Sequence, residues 1–176
     1  ILYGPQTIGG VINYLTPDPP EEFTLSAEGR WGTHDYWMAK TSVGNSLGNA
    51  GYYVQASQLH FGGFRSLDLD MTDVMAKMQL SLKTGGTIGM KANAYHENSN
   101  ATYLGLTTDQ FLTDRSTNGA IHDRLPLYRY GASLWHKAFL GSETLVQTTA
   151  YAHLIDRKWR RQDFERLPRD FGGPVR

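Results

Sequence analysis

Residues 73–83 leave the backbone little choice. Val74, Ala76, Met78, Leu80 and Leu82 take every second position, with Asp73, Lys77, Gln79, Ser81 and Lys83 between them. A strand sends successive side chains to opposite faces, whereas a helix repeats every 3.6 residues. Period 2 held over this length predicts a strand with one apolar and one polar face.

The same alternation recurs along the chain. Residues 23–31 place Phe23, Leu25, Ala27, Gly29 and Trp31 on one side and Thr24, Ser26, Glu28 and Arg30 on the other. Residues 36–43, 52–61, 87–96, 127–138 and 145–155 repeat it, giving seven expected strands in all. Turn chemistry separates them: Gly-Thr-His-Asp at 32–35, Gly- and Asn-rich residues at 44–49, Thr-Gly-Gly at 84–86 and Leu-Gly-Ser-Glu at 140–143. The connections at 62–71, 97–126 and 156–176 are long. Thr107, Thr108, Asp109 and Gln110 fit a capping box, which predicts a short helix inside the second of these.

Two features of this pattern select a class. The expected strands run to about 9–12 residues, the length that crosses a bilayer at a tilt. The connections also alternate, short after the second, fourth and sixth strands and long after the third, fifth and seventh. Transmembrane barrels keep short turns on one side of the membrane and long loops on the other. The expected fold is all-β: an open, curved, antiparallel sheet that forms part of a transmembrane β-barrel. Tyr 10, Trp 4 and Phe 7 supply the aromatic residues that interfacial girdles need.

Composition narrows the alternatives. With 17 basic and 17 acidic residues the net charge is zero, which argues against a nucleic-acid partner. The absence of cysteine excludes disulfides and thiolate metal sites. No apolar run is long enough for a transmembrane helix. The chain starts without Met and mid-pattern, and is expected to be a fragment.

The first sixteen residues, Ile-Leu-Tyr-Gly-Pro-Gln-Thr-Ile-Gly-Gly-Val-Ile-Asn-Tyr-Leu-Thr, combine a punctuated turn, a glycine pair and a short strand. This pattern resembles the end of the plug domain in TonB-dependent outer-membrane transporters. The resemblance implies the end of a plug at 1–16, a linker at 17–22 built on Pro17, Asp18, Pro19 and Pro20, and the first part of the barrel at 23–176. It implies a receptor in the outer membrane of a Gram-negative bacterium that takes up a ferric chelate. Gln6 and the loop 103–111 look most like the ferric-citrate branch, so citrate or another siderophore is the expected transported ligand. Expected partners are the TonB–ExbB–ExbD energy-coupling complex, outer-membrane lipid and lipopolysaccharide. No resident cofactor and no enzyme activity are expected. A passive porin-like barrel and a soluble carbohydrate-binding β protein are the competing readings.

Candidate site residues are sparse. Gln6 is the plug position that the resemblance offers for ligand contact. Arg65, Arg115, Arg124, Arg157 and Arg160 fall on the expected outer loops or strand tops, with Lys158, Arg161 and Arg166 beside them. Guanidinium forks match carboxylates, so these residues would draw an anionic chelate to the mouth. The bland alternative is solvated loop charge or lipopolysaccharide contact, with Asp123 and Asp156 as local partners. His34, His60, His96, His122, His136 and His153 form no metal-binding spacing. Asp68, Asp70 and Asp73 lack the Gly and distal Glu of a calcium loop.

Overall fold

The computed structural model describes residues 15–100, 104–141 and 143–162. They form one sheet of seven antiparallel strands arranged in chain order. These are β1 (Thr24–Gly32), β2 (Tyr36–Leu47), β3 (Ala50–Phe61), β4 (Leu69–Ser81), β5 (Thr87–Ser99), β6 (Leu125–Leu140) and β7 (Thr144–Arg157). β1 and β7 are the two edges, so the sheet is open. The chain is therefore all-β, as its alternation predicts. The strand expected within 1–16 lies outside the described residues except for Leu15 and Thr16.

Most strands outrun their expected ends. Gly44, Asn45, Ser46 and Leu47 look like turn residues, yet they pair with Tyr53, Tyr52, Gly51 and Ala50. β4 begins at Leu69 rather than at Asp73, paired with both neighbours. A ladder is made by backbone N–H and C=O groups and continues wherever register holds, whatever the side chains are. The turn after β2 consequently shrinks to Gly48 and Asn49, with Gly48 at φ +62. The turns after β4 and β6 are also tight, at 82–86 and 141–143. The connections at 62–68 and 100–124 leave from the opposite end of the sheet.

Register carries the alternation sideways. Leu25, Val43, Val54, Ala76, Ala92, Ala132 and Ala152 form one continuous row across the sheet. Ala27, Thr41, Ala56, Val74, Ala94, Tyr130 and Leu154 form the next. The row between these positions belongs to the other face and reads Ser26, Ser42, Gln55, Met75, Asn93, Gly131 and His153.

The apolar face is the uncovered one. Met78, Met90, Leu134 and Leu154 are 56%, 46%, 58% and 67% exposed. Met75 and Ala120 are the only buried hydrophobic residues among those described. Burial instead lies on the polar face, at Ser42 and Lys77. This inverts a soluble β-sandwich, whose apolar face is covered by a second sheet; the described residues form no second sheet.

Close packing on the polar face requires glycine at β5. A Cβ on Gly89 would come 2.0 Å from the Trp135 ring, whereas one on Gly105 would meet nothing within 4 Å. Gly89→Ala should push Trp135 off β5 and lower stability by about 1–3 kcal/mol through overpacking. Thermal unfolding with tryptophan fluorescence checks this, and Gly105→Ala should change neither signal.

Candidate functional site

Residues 16–20 lie across the polar face. Prolines at 17, 19 and 20 fix φ and hold the residues before them extended, so the segment runs as a strap rather than a coil. Glycines in the sheet let it approach. A Cβ on Gly44 would stand 2.6 Å from Pro20 Cδ, and one on Gly51 would stand 2.6 Å from Pro19 Cβ.

Lys77 on β4 fastens the strap. Its ammonium donates to the Thr16 carbonyl at 3.3 Å, the Pro17 carbonyl at 3.2 Å and Asp18 Oδ1 at 2.5 Å. Three donors meet three acceptors, so a lysine only 8% exposed is fully paired. Its Nζ also stands 5.6 Å from the centre of the Trp135 ring. Sequence reasoning missed this clamp because Asp18 and Lys77 are far apart in the chain; a lysine at mid-strand on the polar face was the available signal.

Beside the strap is a cleft of about 570 Å³. Lys77, Lys91, Lys137, Trp135, Gln147 and Thr149 line its wall, and Asp18 is the one carboxylate that lines it. The cleft is thus basic, apart from its strap.

The long-loop end is built differently, by side chains holding backbone. Asn100 is 3% exposed; its amide donates to the Ser66 carbonyl, and its oxygen accepts from Asp68 N at 2.8 Å. Arg65, at φ +57, donates Nε to the Thr117 carbonyl at 3.0 Å and Nη2 to the Leu104 carbonyl at 3.2 Å. This guanidinium joins the β3–β4 connection to the β5–β6 connection. Asp123, also buried, accepts from Gln162 N at 2.7 Å. The expected capping box forms at α1 (Thr108–Thr113), where Thr107 Oγ1 accepts from Gln110 N and Gln110 Oε1 accepts from Thr107 N.

The arginines are therefore distributed rather than gathered. Arg115 stacks on Phe111 at 4.4 Å and donates to its carbonyl. Arg124 and Arg160 exchange backbone hydrogen bonds, and the Arg124 side chain donates to the Ile121 and Asp123 carbonyls. Its acidic neighbour is Asp68 at 3.9 Å, rather than the expected Asp123 or Asp156. Asp156 pairs with Lys158 at 3.5 Å. Arg157 ends β7 opposite Leu127, exposed, in the polar-face row that contains Arg30 and Glu97. Gln6 lies outside the described residues.

His60 forms a second clamp that spacing did not reveal. Its Nδ1 is 2.7 Å from Asp70 Oδ1 and its Nε2 is 3.2 Å from Asp35 Oδ2, with the Trp37 ring stacked alongside. The carboxylates flank opposite edges of the ring, so they cannot share one metal ion. Among the described residues no group of His, Asp and Glu has metal-binding geometry.

No family model matches this chain, and no curated protein matches it.

Two outcomes follow from the loop chemistry. Arg65→Ala should speed amide exchange across 104–120 while leaving the strands protected, and Arg65→Lys should not restore it, because one ammonium cannot span both carbonyls. Asp114 accepts from Ser116 N, Ser116 Oγ and Thr117 Oγ1, and these bonds hold its carboxyl below the ordinary range. A depressed carboxyl stabilises above the unfolded pKa and loses that contribution as pH falls through the folded one. Protection of Ser116 N, measured against its intrinsic exchange rate, should therefore be high at neutral pH and be lost as pH falls through the lowered carboxyl pKa, and Asp114→Asn should reduce that protection at neutral pH.

Proposed function

We propose that this chain is part of the wall of an outer-membrane β-barrel that works as a TonB-dependent receptor, taking up a ferric chelate actively. The observation that carries the reading is the inverted polarity of the sheet. A chain in water must bury apolar surface to offset the conformational entropy lost on folding. Here the rows of Val, Ala, Leu and Met face outward, uncovered. Such a face needs an apolar medium, and a lipid bilayer is one.

The polar face then borders an aqueous lumen. Strand lengths of 12–16 residues from β2 to β7 suit a tilted crossing with extensions beyond the membrane. The strap that reaches this face from the short-turn end supports a chain segment inside the lumen, which a passive pore has no use for. Long connections at the other end, stiffened by Arg65 and Asn100, suit a mouth that meets ligand outside. Arg115, Arg124, Arg157 and Arg160 would supply positive potential there for an anionic ferric chelate such as ferric citrate.

Expression of the gene product that carries this chain, in an iron-starved strain lacking its own outer-membrane iron transporters, tests the reading. Growth should be restored by one ferric chelate from a panel, and only while the TonB–ExbB–ExbD complex is intact. No rescue by any chelate, or rescue indifferent to the coupling complex, would contradict it; the second result would favour a passive barrel.

A further inference from the structure

Lys77 and Lys91 face each other directly across β4 and β5. Residues so paired have Cβ atoms about 4.5–5.5 Å apart, and like charges there repel. The structure resolves the conflict for one of them. Lys77 has Asp18 and two strap carbonyls, while Lys91 has no ion-pair partner among the described residues. Half-buried, it lines the same cleft with Lys137.

The occupant of this pair is weakly committed. The Asp18 side chain is 78% exposed, so water and solutes reach it and screen its ion pair. The Thr16 and Pro17 carbonyls satisfy donors on Lys77 but bring no charge. Removing the carboxylate would leave two cross-strand lysines lining a cleft sized for a small molecule. Around them stand Trp135, Ser133 and Gln147 for further contact.

We propose that Lys77 and Lys91 form a carboxylate-binding site whose resident ligand is the strap's own Asp18. A small molecule with several carboxylates competes with Asp18 and loosens the strap from the sheet. The choice of carboxylate follows from the group already seated there, and several are favoured because Lys137 lines the same cleft. Site and strap are thereby coupled: whatever frees Asp18 opens the site, and whatever fills the site frees the strap.

Tricarballylate, a tricarboxylate used without metal, is the probe, so the outcome does not depend on ferric-chelate uptake. Calorimetric titration of the detergent-solubilised protein at low salt should show weak binding. Asp18→Asn should tighten it by at least tenfold, because the internal competitor is gone. Lys91→Gln should weaken it by at least tenfold, and Lys83→Gln, in a turn outside the cleft, should leave it unchanged. The chain has no cysteine, so a nitroxide at Glu21→Cys reports the strap alone, with Asp18 in place; tricarballylate should raise its mobility. Equal affinity in the parent and Asp18→Asn proteins would overturn the proposal. So would equal weakening by Lys83→Gln and Lys91→Gln, or a label that ignores the probe.

Discussion

Unbroken antiparallel register decides the side on which every residue of this sheet lies. A slip of one residue at any of the six strand pairs would turn a row such as Val54, Ala76 and Ala92 over to the polar side. The tight turns at Gly48, Gly85 and Gly141, each at positive φ, help pin that register at one end. From it follow an apolar face without cover, a polar face with lysines in it, and a single surface on which a strap of carbonyls and one carboxylate finds donors.

Lys77 joins the strap to the sheet. A buried ammonium without partners would cost several kcal/mol. Here the strap supplies three acceptors, and the glycines at 44 and 51 let the prolines come close enough to present them. At the opposite end the chain uses another device, in which Asn100, Arg65 and Asp123 tie connections together through backbone groups. The two ends therefore differ: one holds a strap by an ion pair together with two backbone carbonyls, and the other holds loops mainly by hydrogen bonds to backbone.

Much of the fold was legible in the residues. Alternation in 73–83 named the two faces of β4 correctly, and Thr107 with Gln110 gave α1 its start. Strand ends were less legible, because Gly44 to Leu47 carry turn-like side chains on backbone that still pairs. The candidate site was least legible. Partners such as Asp18 with Lys77, or His60 with Asp35 and Asp70, are joined by register and not by spacing. Arg65 reads as a ligand-binding cation in the sequence, yet two of its donors serve Thr117 and Leu104. Arg115, Arg124, Arg157 and Arg160 are the other arginines at the long-connection end, spread along it rather than gathered.

The central claim is that the apolar face meets lipid and the polar face meets water. Single nitroxides at Met78→Cys and Gln79→Cys, adjacent on β4 in a chain without native cysteine, test it after reconstitution into vesicles. Collision with oxygen, which concentrates in lipid, is compared with collision with a water-soluble chromium complex. The account predicts that the label at 78 favours oxygen and the label at 79 favours chromium, with the preference alternating at 80 and 81. Equal access of both labels to the chromium complex, or the reverse alternation, would contradict it.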